Sequence, residues 1–207
     1  MTADSNIQIA ACWSCGGAVH DGNAFCETCG AVQPPGQADH FARFGLDPAF
    51  DLDEGDLQQR YFAHQRVLHP DRFAGRSERE RTISMQQSTS INEAFEVLKS
   101  PLRRAEYLLA LAGVTVNAET GNLPTDPEVL TEAMETREAL MEADSDDAVA
   151  ALADDVRARA DSCLSELSTV FAAGDTGRAA TLATRLKYLE KFGDEVRRRR
   201  ATMRAAR

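Results

Sequence analysis

The chain has 207 residues, enough for one large domain or two small ones with a minor module, and 43% are hydrophobic while only 6% are aromatic. Its formal net charge of −10 disfavours nucleic acid as the main partner, because phosphate binding needs clustered Lys and Arg. No apolar run approaches a bilayer span, no secretory apolar region precedes Cys12, and the first basic residue is Arg43, unlike an Arg-rich presequence.

Residues 1–11 read as disordered. Cys12-x2-Cys15 and Cys26-x2-Cys29 then form a module over residues 12–33, with four thiols within eighteen residues. Paired spacing of this kind indicates metal binding in a reducing compartment rather than a disulfide framework, and makes the cytoplasm the expected location. Gly16 and Gly30 follow the second Cys of each pair, a position that suits positive φ and lets backbone N–H groups turn toward sulfur. Four soft ligands on tight loops fit tetrahedral, structural Zn2+ with no open coordination position. A rubredoxin-like iron centre shares these ligand preferences, and two redox-active dithiols are a further alternative, although no βαβ pattern accompanies them. Trp13 and Phe25 are expected to cover the metal, since so small a module has no other core.

"AVQPPGQAD" reads as a Pro/Gly linker, centred on residues 34–39. From His40 to Gly113 the pattern is helical. Asp53 is a plausible N-cap, and Leu57, Tyr61, His64 and Leu68 recur at helical spacing until Pro70 stops the helix. His64 is expected as a packed histidine rather than a ligand, with no Cys, Asp or Glu one turn away. The next helix opens on a capping box, Ser77 with Glu80, and carries Ile91, Ala94, Phe95 and Leu98. Ser100-Pro101 opens "PLRRAEYLLALAG", a bracing helix ended by Gly113. The predicted product is an antiparallel hairpin with His69-Pro70-Asp71 at its tip. A turn chosen only for connectivity would favour Gly, Asn or Ser over His. Six arginines (60, 66, 72, 76, 79 and 81) face only Asp71, Glu78 and Glu80 between residues 59 and 81, which suits an acidic protein surface.

Residues 114–125 read as a connector, and 126–207 as a three-helix bundle. Asp126-Pro127 starts a helix with Leu130, Met134 and Met141; on spacing alone Leu130 and Met134 fit either a core or an exposed face. Ser145 starts another, with apolar or small residues at 149, 152, 156, 160, 163, 167 and 170, so Cys163 is expected in the core. The last places Leu182, Leu186, Leu189 and Val196 on one side, interrupted by Gly193, and ends in "RRRR" at 197–200, a solvated helix terminus.

The tripeptide in this setting resembles the J-domain, and the stretches "HFARFGLDPAFDLD", "HPDRF", "QQSTSINEAFEVLKSPLRRAEYLLALAG", "TREALMEA" and "TRLKYLEKF" narrow the resemblance to the HscB family of iron–sulfur cluster assembly. "CWSCG" resembles the N-terminal zinc module of mitochondrial and some bacterial members. The resemblance implies an all-α, L-shaped molecule: a J-domain over 40–113 and a scaffold-binding C-terminal bundle. It further implies a non-enzymatic co-chaperone that presents an IscU-type scaffold to a DnaK/HscA-type chaperone and activates its ATPase. His69, Pro70 and Asp71 match the coupling loop, with Arg60, Arg66 and Arg72 on the basic chaperone-binding face. Leu130, Thr131, Met134, Glu135, Glu138 and Tyr188 fall on the scaffold-binding patch. Thr131 stands where bacterial members have a familiar methionine and Tyr188 replaces a phenylalanine, which makes the patch smaller and wetter. A bacterial cytoplasmic protein is favoured over one of the mitochondrial matrix, as monomer or dimer. Two other readings stand beside this one: a generic J-protein for unfolded clients, and a thiol-based holdase or oxidoreductase.

Overall fold

A computed structural model describes residues 9–20, 22–114 and 126–205. Most of the anticipated disordered start and of the 114–125 connector lies outside the described residues. The chain divides into two compact units, Met1–Pro48 with Leu52–Ser100, and Ala49–Asp51 with Pro101–Arg207.

The first unit begins with an antiparallel pair, β1 (Ile9–Ala11) and β2 (Ala18–His20), with Ala10 opposite Val19. Ile9–Ala11, expected within a disordered run, are ordered by this pairing. Its inward residue Val19 packs with Cys12 and Cys26, which a flexible start could not supply. The proline-rich stretch is likewise no free linker. Val32 and Gln33 are buried. Gln87 Nε2 donates to the Gln33 carbonyl at 2.8 Å and Arg43 Nη2 to that of Gly36 at 3.0 Å. Prolines remove N–H donors, so side chains satisfy the carbonyls that remain and strap the module down.

Helices α1 (His40–Arg43), α2 (Glu54–Leu68) and α3 (Glu78–Leu98) complete this unit. Asp53 caps α2 by accepting from Asp56 N, and the predicted Ser77/Glu80 capping box opens α3. Ser84 Oγ donates to the Leu68 carbonyl at 2.7 Å, while Tyr61 stacks on Phe95 with ring centroids 4.1 Å apart. Partners early in α3 thus meet the end of α2 and later ones meet its middle, which makes the pair antiparallel. His64 is half-buried and edge-on to Phe44, and loss of water lowers its pKa, as expected of a packed neutral histidine.

The second unit holds α4 (Pro101–Leu111), α5 (Pro127–Glu142), α6 (Asp146–Ala172) and α7 (Thr176–Ala205). The sequence grouped α4 with the hairpin as a brace, but α4 buries Leu102, Ala105 and Leu109 in one cluster with Leu182, Leu186 and Leu189 of α7. Phe50 joins that cluster, stacked on Phe171, with the Arg104 guanidinium over its ring. Small residues Ala179, Ala180 and Ala183 let α6 and α7 approach along most of their length. Cys163 is fully buried as predicted, its Sγ 3.3 Å from the Leu182 carbonyl, and burial pushes its thiol up to about 11. Gly193 does not interrupt α7, because Phe192 fills the inward position beside it. The 197–200 arginines sit inside the helix rather than at its end, with Arg200 Nε 3.6 Å from Asp146.

Candidate functional sites: tip loop, outer face of α5, cysteine cluster

Leu68 ends α2 and His69 caps it with φ −57° and ψ 132°, the extended conformation that a following proline imposes. Pro70–Phe73 then make a single 3-10 turn. Two buried side chains, Leu68 and Phe73, anchor the turn on either side. What lies between them is presented to solvent. Asp71 N donates to His69 Nδ1 at 3.3 Å, and the Asp71 carboxylate lies 3.6 Å from the same nitrogen. Its side chain keeps 91% of its exposure and that of His69 keeps 51%. The imidazole is thus oriented by the backbone, while the carboxylate has almost no intramolecular duty.

The three arginines assigned to the basic face differ. Arg66 and Arg72 are exposed and make no ion pair among the described residues. Arg60 instead braces the fold: Nε pairs with Asp56 at 2.8 Å, and Nη1 donates to the carbonyls of Phe44 at 2.8 Å and Gly45 at 3.2 Å.

On α5 the apolar residues face outward. Leu130, Met134 and Met141 are 43%, 66% and 76% exposed, a stripe at helical spacing with Glu135 and Glu138 also in solvent. Thr131, likewise exposed, returns its hydroxyl to the Pro127 carbonyl, and Tyr188 is half-buried against the α6–α7 core. The inward face of α5 carries Val129, Glu132, Ala133, Thr136 and Leu140. Glu132 accepts from Arg185 Nε at 2.8 Å and Nη2 at 2.9 Å, and from Arg159 Nη1 at 3.2 Å; Arg159 also pairs with Asp155.

Sequence reading missed this cluster, because a Glu among exposed acids carries no signal until the inward spacing 129–132/133–136–140 is set against arginines on both neighbouring helices. Burial raises the Glu132 carboxyl, but its bonds and attraction to Arg185 and Arg159 outweigh that and hold it below 4.5. A depressed carboxyl stabilises the fold above its ordinary pKa and loses that contribution as pH falls through the native value. Glu132→Ala should cost about 2 kcal/mol at pH 7, less than a fully buried pair because Arg159 and Arg185 keep a third of their exposure. The difference from wild type should shrink below pH 4.5, as pH-dependent denaturant melts would record.

The four cysteine sulfurs lie within 4.8 Å of one another, Cys12 to Cys29 and Cys15 to Cys26 both at 3.7 Å. A disulfide would need about 2.05 Å, whereas tetrahedral Zn–S bonds of about 2.3 Å place sulfurs about 3.8 Å apart. The residues present therefore fit a four-thiolate metal ion. Gly16 and Gly30 have φ of 73° and 71°, and their N–H groups donate to the carbonyls of Cys12 and Cys26. Ser14 N and Gln33 Nε2 reach Cys12 Sγ at 3.3 and 3.2 Å, and Gly17 N reaches Cys15 Sγ at 3.4 Å. Burial would raise the Cys12 thiol, but N–H donors and neighbouring thiols overcome it and lower it, while the same crowding of sulfurs raises Cys15, so the cluster holds its first thiolate readily and needs a cation to hold all four. The apolar cover over Cys12 and Cys26 is Val19, with Ala31, not Trp13 and Phe25. Trp13 turns its N–H to the Val32 carbonyl at 2.7 Å and lies under the Arg79 guanidinium, so its donor and ring face are engaged away from the sulfurs.

Residues 125–197 match the family described as the HSCB C-terminal oligomerisation domain. The mouse iron–sulfur cluster co-chaperone protein HscB is 34% identical over 190 residues, covering 90% of this chain and 81% of the relative. The chain belongs to the HscB family of co-chaperones. A Vibrio cholerae HscB homologue is 41% identical over 163 residues, 77% of this chain and 95% of its own. The crystal structure of human HscB superposes with a TM-score of 0.86 at 32% identity, over 92% of this chain and 98% of that one. The all-α architecture is thus the HscB fold with a cysteine knuckle in front of it. None of its described helices is long and apolar enough to cross a membrane.

Proposed function

We propose that this HscB-family chain is an adaptor that brings an IscU-type iron–sulfur scaffold to a DnaK/HscA-type chaperone and stimulates its ATPase through His69-Pro70-Asp71. The observation that carries the reading is the tip loop: an imidazole and a carboxylate fixed by two buried anchors, with the carboxylate left to solvent. Arg66 and Arg72 supply positive charge beside it for an acidic chaperone surface. The cargo site is the outer stripe of α5, Leu130, Met134 and Met141, with Glu135 and Glu138 on the same exposed helix and Thr131 and Tyr188 as its polar members. Carrying both activities on one chain raises the scaffold's effective concentration at the chaperone.

The cysteine cluster is assigned structural Zn2+, held by Cys12, Cys15, Cys26 and Cys29, and its chemistry is to hold the knuckle's fold. Four metal-held thiols suit a reducing compartment such as the bacterial cytoplasm. An oxidoreductase or holdase reading needs two free dithiols, which a filled four-sulfur site denies it.

The test is a single-turnover ATPase assay of the cognate chaperone with this protein, with and without scaffold. Synergy between the two supports the adaptor; equal stimulation by a denatured model client and by scaffold would favour a generic J-protein. Met134→Asp should weaken scaffold binding by about tenfold or more, since it puts charge at the centre of an apolar patch, and should leave stimulation without scaffold unchanged. Isothermal titration with folded scaffold reads the first effect, and unchanged affinity would remove α5 as the cargo face.

A further inference from the structure

Between the second cysteine knuckle and the tip loop runs a groove of about 450 Å³ that the adaptor reading touches only through Arg72. One wall is knuckle: Phe25, Ala31 and Val32, with Cys29 at its edge. The other comes from the loop and the helix before it: Val67, Phe73, Arg72 and Arg76. Val67 is 43% exposed although it is a large aliphatic residue one position from the buried Leu68. Neither Arg72 nor Arg76 makes a hydrogen bond or ion pair with a described side chain. The acid in this lining, Glu80, has its carboxylate turned to Ser77, whose N and Oγ both donate to Oε2 at 3.1 and 2.8 Å. The groove therefore sets the exposed Val67 and the half-buried Phe25 beside two guanidiniums, Arg72, which has no ion pair among the described residues, and Arg76, whose charge helps to lower the Glu80 carboxyl, on a chain whose net charge is −10.

We propose that this groove receives an extended acidic segment of the chaperone, one that carries an apolar side chain between its acids, so that the cysteine module is part of the chaperone-docking surface. The inference rests on the adaptor reading and adds a partner contact to it. Arg72 and Phe73 belong both to the loop turn and to the groove wall, so a segment lying in the groove is continuous with whatever meets His69 and Asp71. Charge opposite to the two guanidiniums identifies the occupant as acidic, and the Phe25–Val67 walls call for an apolar side chain. The knuckle's role then follows from its fold: the four-cysteine turns, with the metal proposed for them, would hold Phe25 and Ala31 beside the loop residues that line the groove.

The experiment titrates full-length, metal-loaded protein into the purified cognate DnaK-type chaperone and reads ATPase half-saturation and maximal stimulation. Arg76→Glu should raise the half-saturating concentration about tenfold, and Val67→Ser about threefold, with the maximum retained and a flatter salt dependence for Arg76→Glu. Both side chains are exposed, and thermal melts confirm that each variant folds. If both variants saturate within twofold of wild type while Asp71→Asn still abolishes stimulation, the groove proposal falls and the loop assignment survives. If wild type gives no stimulation, both fall. A change in light-scattering mass for Arg76→Glu, with unchanged half-saturation, would give the groove to a second copy of this chain and also overturn the proposal.

Discussion

Asp71→Asn is expected to return the chaperone's ATPase to its unstimulated rate, a loss of at least about tenfold in stimulation, while the melting temperature moves by no more than about 2 °C. The replacement is isosteric, and the native side chain is 91% exposed, so little of the fold depends on its charge. The polar bond that shapes the turn uses the Asp71 backbone N–H, which the variant keeps. His69→Ala would be less clean, because His69 Nδ1 is the acceptor of that bond and the residue is also the cap of α2. Scaffold affinity should be unchanged in Asp71→Asn, since the cargo face proposed above is built from the other unit. Stimulation that survives in a folded Asp71→Asn protein would remove this loop from the coupling mechanism.

If the cluster holds the structural zinc proposed for it, Cys26→Ser should lose that metal outright: stoichiometry by native mass spectrometry falls from one per chain to none, and the three remaining thiols become reactive. Cys26 is 2% exposed at the centre of the knuckle, and its backbone holds the second turn through bonds with Ala31 and Gly30. A hydroxyl is a poor replacement for a soft thiolate, and the apolar residues Val19 and Ala31 are too few to hold the turn unaided. The damage should spread within the first unit along a specific route. Gln33 donates to Cys12 Sγ and accepts from Gln87 of α3, so a loosened knuckle leaves a buried amide on α3 without its acceptor. The first unit should melt earlier, by about 5 °C or more, while the α6–α7 core keeps its transition. Chelation of the wild-type protein should reproduce this, and full metal occupancy in Cys26→Ser would mean that three sulfurs suffice.

The parts of this molecule that local chemistry dictates were legible in the sequence. Pro70 had to stop α2, Ser77 with Glu80 had to open α3, and the Cys-x2-Cys pairs with Gly16 and Gly30 had to make twin knuckles. Long-range choices were not. "PLRRAEYLLALAG" is amphipathic whichever unit it packs against, and its place beside α7 depends on Phe50 and the α7 leucines, far away in sequence. "QPPG" looks like a tether until Gln87 supplies a donor from 54 residues on. For α5 the periodicity of Leu130, Met134 and Met141 was visible, but which face turned inward was decided by Glu132 and its two arginines. At the tip, exposure of His69 and Asp71 followed from the turn; that Arg60 would be spent on Phe44 and Gly45 did not.

The way α5 is held has a further consequence. Its inner surface offers Val129, Ala133 and Leu140 and is otherwise held by polar contacts, the Glu132 cluster and Arg137 with Glu195 at 3.6 Å, whereas α6 and α7 share an almost continuous apolar seam. α5 is therefore held less firmly than α6 and α7, and it carries two bare methionines, Met134 and Met141. Anything that clasps Leu130 and Met134 supplies the second layer of packing that the helix lacks, so capture of a guest and annealing of α5 share a single free energy.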